Sequence, residues 1–327
     1  MVCLALLLNL SMSKYLGIDT SNYTTSVALY DSSADTVISK RKLLPVAEGA
    51  LGLRQSDAVF HHTQQLPLLL EELFSECNCD KNEIKAIGAS FTPRKSEGSY
   101  MPCFTVGSGV ARVLSSALGV PLYNLSHQQG HIAAALYSIG RLDLIDKPFL
   151  AFHVSGGTTD ALLVNYNKTD DILPVELVAK TLDLNGGQLV DRVGLMLSCA
   201  FPCGKELESL ALCCNEVIKV KPTIKGFDCC LSGIENICKK AIADGKDKYY
   251  VAKLCLKYIE ESLFVMTTRL VEHYGDMPVV FAGGVMSNSI IRESLTKRLA
   301  CFFSEPQYST DNACGTAVLT CLLDNIK

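Results

Sequence analysis

The stretch Tyr15–Asp31, YLGIDTSNYTTSVALYD, reads as a β-strand, a polar turn and a second β-strand, because apolar β-favouring runs flank a cluster of Thr, Ser and Asn. Its shape returns at Phe149–Asn165, FLAFHVSGGTTDALLVN, which aligns with it without a gap. Leu16 then matches Leu150, Ser21 matches Ser155, Thr24 and Thr25 match Thr158 and Thr159, and Leu29 matches Leu163. A structural unit repeated at this spacing points to a duplicated fold, and it sets the frame for every shorter motif.

Outward from these hairpins, apolar spacing predicts a helix over His61–Cys77, a strand over Ile84–Ser90 and a loop with two prolines and several charges over Phe91–Cys103. A helix over Val106–Leu118, a strand over Val120–Asn124 and a helix over Gln128–Ile139 follow. Past the second hairpin, helices are expected at Gly187–Ser198, Lys205–Cys214 and Tyr249–Tyr274. A buried strand Pro278–Ala282 leads through Gly283-Gly284 to a helix near Asn288–Ala300, and a last helix starts at about Asp311. Strands alternating with helices argue an α/β protein of two similar lobes with a cleft between them. The expected lobes are 14–125 and 126–327, the last helix being a candidate to pack back on the first lobe. Residues 1–13 read as an extension, with Met12 the simpler start.

Composition narrows the class. With 327 residues, 48% of them hydrophobic and 20% charged, the chain has room for a core and lacks the bias of disordered or fibrous sequences. A net charge of -4 gives no overall attraction to phosphate polymers, so contact with nucleic acid would need help from a partner. The basic residues at 40–42, 219–225, 239–240 and 297–298 carry no interleaved aromatics and read as solvated faces. Fifteen cysteines is an odd count without a disulfide framework's spacing, and most are expected to be small buried hydrophobes in a reducing cytoplasm. The apolar Met1–Leu10 has no positive flank and is far short of the ~20 residues that span a bilayer. The expected location is the cytoplasm, with no membrane contact.

Both hairpin turns present hydroxyls, amides and small residues in the manner of an anion nest, with Ser155-Gly156-Gly157-Thr158 the stronger and Asp19 and Ser21 marking the other as a possible phosphate contact. In SHQQGH, His127 and His131 stand at i and i+4, so both imidazoles project from one helix face and can share a metal. The Glu of H-E-x-x-H is absent, which disfavours a zinc peptidase. Two histidines need a third ligand, for which Asp311 is a candidate, although Thr310 or Asp311 also suits a plain helix cap. Ala282–Asn288 follows a buried strand and opens a helix, where amides and the helix dipole attract anions.

In order, GIDTS at Gly17, SHQQGH at Ser126, VSGGTT at Val154, LSG at Leu231, AGGVMSN at Ala282 and STDN at Ser309 resemble the TsaD family, the universal tRNA threonylcarbamoyladenosine synthase subunit once called glycoprotease. The resemblance runs through nearly the whole chain from Lys14. It implies the actin-like ATPase (ASKHA) fold with duplicated RNase H-like subdomains. It also implies transfer of threonylcarbamoyl from threonylcarbamoyl-adenylate to the exocyclic nitrogen of adenosine 37 in tRNA. Residue by residue, it implies an iron or zinc ion held by His127, His131 and Asp311. It implies an adenylate or other adenine nucleotide held by His153, Val154, Ser155, Gly156, Gly157, Asp191, Gly204 and Asn288. The implied partners are a paralogous dimerisation subunit, a small ATPase and a separate enzyme that makes the adenylate.

The chain departs from that pattern where acids usually stand. Tyr23 and Thr24 replace an Asp-Glu pair, Thr158 replaces the His of S-G-G-H-T, Gln188 replaces a Glu, and Cys203 replaces a Gly. Pro93–Pro102 replaces a short Gly-Pro-Gly-Leu loop. Two readings follow: a divergent threonylcarbamoyl transferase, or a metal- or nucleotide-binding paralogue that leaves tRNA unmodified. A sugar kinase or ATPase on the same fold is a third, with Asp19 as its only plausible catalytic carboxylate.

Overall fold

The computed structural model describes residues 13–21, 23–45, 53–77, 79–95, 98–165, 173–309 and 312–326. The expected extension at 1–13 therefore lies, but for Ser13, outside the described residues, as do Thr310 and Asp311. The chain divides into two compact units, Met1–Asp146 with Thr310–Lys327, and Lys147–Ser309. The division falls after the histidine helix rather than before it at 125/126, and the C-terminal helix belongs to the first unit.

In the first unit, β1 (Lys14–Asp19), β2 (Thr24–Asp31), β3 (Thr36–Leu43), β4 (Ile84–Thr92) and β5 (Leu122–Ser126) form one sheet in the order β3-β2-β1-β4-β5. Strands β1, β2 and β3 pair antiparallel, while β4 and β5 run parallel to β1. Helices α1 (Gln55–Cys77), α2 (Phe104–Leu118) and α3 (His127–Ser138) supply the connections.

The second unit repeats the plan. Strands β6 (Phe149–Val154), β7 (Thr159–Val164), β8 (Val175–Lys180), β11 (Val279–Ala282) and β12 (Cys301–Phe303) have the order β12-β11-β6-β7-β8 with the same senses. The hairpin registers superpose: Leu16 faces Leu29 as Leu150 faces Leu163. The unit also holds α4 (Gly186–Met196), α5 (Gly204–Leu212), α6 (Ser232–Ala243), α7 (Lys248–Tyr274) and α8 (Ser289–Arg298), with a short ribbon of β9 (Thr223–Lys225) and β10 (Asp228–Cys230). This duplicated five-stranded plan is the actin-like arrangement.

The central strands are apolar on both faces because helices cover both sides: β1, β2, β6 and β7 are buried almost end to end. Leu16, Ile18, Val27, Leu66, Leu73 and Ile87 pack the first core. Leu150, Phe152, Val193, Leu263 and Phe281 are among those that pack the second. Of the fourteen described cysteines, none is bridged and nine are buried. Burial pushes the thiols of Cys229, Cys238 and Cys321 up to about 12, so they stay protonated and behave as small apolar groups. No described helix is long and apolar enough to cross a membrane.

The last helix, α9 (Cys314–Ile326), is buried along its first eight residues. It presses on α3 without side chains between them: a Cβ at Gly315 would lie 1.9 Å from the Gly130 carbonyl oxygen and 2.5 Å from the Ala134 nitrogen. Backbone atoms cannot rotate aside, so the helices themselves would have to part. Gly315→Ala is therefore expected to cost near the upper end of the roughly 1–3 kcal/mol typical of overpacking, measurable by urea denaturation.

Candidate functional site

Two clusters of the expected residues form, one in each unit. In the first, α3 begins at His127 because Ser126 and Gln129 make a reciprocal cap. The Ser126 hydroxyl accepts the Gln129 amide, and the Gln129 side chain accepts the Ser126 amide at 3.0 Å. The serine and second glutamine of SHQQGH thus fix the helix start, which puts His127 and His131 one turn apart on one face. Their Nε2 atoms converge to 2.9 Å. The Gln128 amide donates to the Pro93 carbonyl, so the loop that replaces Gly-Pro-Gly-Leu holds the same helix start.

The other ring nitrogen of His127 lies 2.8 Å from Asp19 Oδ2, and that carboxylate is 1% exposed. Asp19 Oδ2 also accepts the Ser90 hydroxyl at 2.6 Å, and Oδ1 accepts the Ser21 amide at 2.8 Å. Burial by itself would raise this carboxyl. The charge on His127, with the bonds from His127, Ser21 and Ser90, outweighs that and holds it below the usual carboxylate range. Both oxygens of Asp19, an expected phosphate contact, are thus engaged within the first unit. Ser21 is 1% exposed, and its hydroxyl has no hydrogen-bond partner among the described residues.

The donor set fits a divalent metal. Two imidazole nitrogens face one another while a carboxylate steadies one ring from behind, the arrangement that orients metal-bound histidines. Among the described residues no group of three metal-ligating side chains closes around a point, and Asp311, the expected third ligand, lies outside them. Asn312, which the sequence did not single out, accepts the Cys314 amide ahead of α9. The acid-pair positions hold a half-buried Tyr23 and a buried Thr24, whose amide closes the turn on Ser21.

In the second unit, loops gather at the carboxyl ends of parallel strands, where open α/β sheets bind ligands. His153, Val154, Ser155, Gly156 and Gly157 close β6 and begin its turn. The start of α4 rests on that turn: the Gly187 amide donates to Ser155, and a Cβ on Gly187 would lie 2.6 Å from the Gly156 nitrogen. Gly283, at φ 102°, lies against the Val154 carbonyl, where a Cβ would come within 2.3 Å. Cβ positions on Gly156, Gly157, Gly204 and Gly284 face open space.

Of the other expected contacts, Asn288 caps α8, its side chain accepting the Ile291 amide. Asp191 accepts the Cys203 amide at 2.9 Å, tying α4 to the start of α5. Cys203 has ordinary helical backbone angles, so glycine is not needed there, and its side chain sits where a Cβ on Gly194 would fall. Gln188 keeps a capping role, accepting the Asn185 amide. Missed in the sequence is Asp183, which accepts the amides of Leu184, Leu231 and Ser232 and the Ser232 hydroxyl. It explains LSG as an α6 start. Burial opposes ionisation of Asp183, but those donors outweigh it and hold the carboxyl below its ordinary 3.8. A depressed pKa stabilises the fold above that value and the gain is lost as pH falls through it, so Asp183→Asn should flatten the acid limb of a stability–pH curve.

A family model described as tRNA N6-adenosine threonylcarbamoyltransferase, TsaD, matches residues 45–318. A protein of that name from Thermofilum pendens is 25% identical over 307 residues, 91% of this chain and 85% of the relative. Among solved structures, component A of the (R)-2-hydroxyglutaryl-CoA dehydratase of Acidaminococcus fermentans is similar with a TM-score of 0.53 and 14% identity, covering 95% of this chain and 99% of that one. HypF from T. kodakarensis is similar with a TM-score of 0.60 and 12% identity, covering 96% of this chain and 48% of its own. At such identities these likenesses speak to the actin-like fold alone. The family model spans most of the length and takes in His127, His131 and the His153–Gly157 turn, and the chain belongs to the TsaD family.

Proposed function

We propose that the chain transfers the threonylcarbamoyl group of threonylcarbamoyl-adenylate to the exocyclic nitrogen of adenosine 37 in tRNA, acting in the cytoplasm. The observation that carries this reading is the pair of Nε2 atoms converging to 2.9 Å over a ring steadied by buried Asp19. His127, His131 and Asp311 are the proposed ligands of one divalent ion, iron or zinc. When bound, such an ion supplies Lewis acidity toward the transferred carbonyl. The turn His153–Gly157 offers amides to the adenylate phosphate, and Gly156, Gly157 and Gly204 leave room for close approach. Asp191 is the proposed carboxylate for a ribose hydroxyl. A paralogous dimerisation subunit, a small ATPase and a separate adenylate-forming enzyme are the proposed partners.

A second reading, a metal- or nucleotide-binding paralogue that leaves tRNA unmodified, draws on Tyr23 and Thr24, which put no carboxylate at the turn beyond Asp19. The readings separate in cells depleted of their own family member. Expression of this chain is expected to restore threonylcarbamoyladenosine in bulk tRNA, read by mass spectrometry. Soluble protein with no restored nucleoside would favour the paralogue.

A further inference from the structure

We infer that Lys219, Lys221 and Lys240 form a docking surface on the second unit for the phosphodiester backbone of an RNA. In sequence these lysines look like separate solvated faces, but the fold gathers them. The Tyr258 hydroxyl of α7 accepts the Thr223 amide at 3.0 Å and donates to the Cys230 carbonyl at 3.3 Å, which holds the β9–β10 ribbon against that helix. Helix α6 packs on α7 as well, its Ile234 and Cys238 in the shared core. These elements enclose a cavity of about 440 Å³ whose lining includes Lys219, Lys221, Lys240 and Lys246. Residues 219–248 carry seven lysines against four carboxylates, a local +3 in a chain whose net charge is -4. Lys246 is already engaged, its ammonium 4.4 Å from the centre of the Tyr250 ring and 3.7 Å from Glu216. Lys219, Lys221 and Lys240 are exposed, and their ammonium groups meet no carboxylate among the described residues. Asp244, the one carboxylate on the lining, pairs with none of them. Like charges gathered at one mouth attract a polyanion.

The lining favours a polymer over a small anion. Its floor, Ile234, Leu254 and the ring of Tyr258, is buried and apolar, and the Tyr258 hydroxyl is taken up by the ribbon. An anion on that floor would lack donors, so phosphates stay at the mouth with the lysines. Lysine is a flexible point charge that can follow a backbone, and the lining holds no Arg, Asn or Gln to read a base edge. Binding is therefore expected to be indifferent to sequence. That the polymer is RNA rests on the tRNA reading above, whereas the pull on a polyanion comes from the lysines alone.

The test is binding of the full chain to an unmodified tRNA transcript between about 50 and 200 mM salt, read by fluorescence anisotropy. Each lost phosphate contact removes roughly 0.7–0.9 from the slope of log affinity against log salt. The triple variant Lys219→Gln, Lys221→Gln, Lys240→Gln is expected to lower that slope by about 2–3 and to weaken binding at least ~10-fold at the low-salt end, with thermal unfolding unchanged. The control Lys40→Gln, Lys239→Gln, Lys297→Gln removes the same charge from lysines already paired with Glu76, Glu235 and Glu293, and should leave the slope as it is. An unchanged slope in the first variant, or an equal fall in both, overturns the inference, as does a wild type that binds no tRNA. Loss of tripolyphosphate binding with the RNA slope intact would also overturn it, in favour of a small anion. Should the triple variant not fold, Lys240→Gln alone decides, with an expected fall of about 1. A lowered slope in a chain that restores no threonylcarbamoyladenosine would remove the transfer reading and leave the surface standing.

Discussion

His131→Ala is expected to strip metal from the purified protein, by more than the roughly 10–100-fold that changes behind the ligands cost. The variant removes one of the two nitrogens that converge at 2.9 Å and leaves His127 without its neighbour. Alanine is the best helix former and the cap at Ser126 is untouched, so α3 should persist. Metal per protein by mass spectrometry, with thermal unfolding as the check on folding, gives the answer. A folded His131→Ala protein with undiminished metal would place the ion elsewhere.

Gly187→Val is expected to weaken binding of a non-hydrolysable adenylate analogue by at least about 10-fold, roughly the 1.4 kcal/mol that a modest displacement of amide donors would cost. A side chain at this position meets Gly156 nitrogen at 2.6 Å and Gly156 Cα at 2.7 Å, so the Ser155-Gly156-Gly157 turn must move. Gly204→Ala makes the contrast, because a Cβ there faces open space. It should leave thermal stability unchanged and weaken the analogue only if the ligand fills that space. Calorimetric titration of both variants separates a displaced turn from a blocked one. Wild-type affinity in Gly187→Val would remove the turn from the binding reading.

The central strands of both sheets were legible in the sequence because burial on both faces forces continuous apolar runs, and the duplicated hairpin announced itself twice. The edge strands were not. Strand β3 (TVISKRKL) is largely exposed and β8 (VELVAK) is half so, and a polar edge has no apolar period to read. Helix α6 escaped because only Ile234 and Cys238 of its residues are buried, a stripe too thin for periodicity. The histidine pair was legible from spacing alone. The function of Asp19 was not, since its partners Ser90 and His127 arrive from β4 and α3, and only the sheet order β1-β4-β5 brings those strand ends together. The same holds for Cys203, whose tolerance depends on Gly194 in the preceding helix. Asn288, expected at the adenylate, has a second role that its place in the sequence did not announce, as the cap of α8.

The most direct test of the account is transfer itself. Purified chain, loaded with iron or zinc and supplied with the partner subunits, would be given threonylcarbamoyl-adenylate labelled in its threonine and an unmodified tRNA, and label in tRNA counted after digestion to nucleosides. The account predicts labelled threonylcarbamoyladenosine from the wild type and none from His131→Ala. Folded, metal-loaded wild type that leaves the tRNA unlabelled would contradict it.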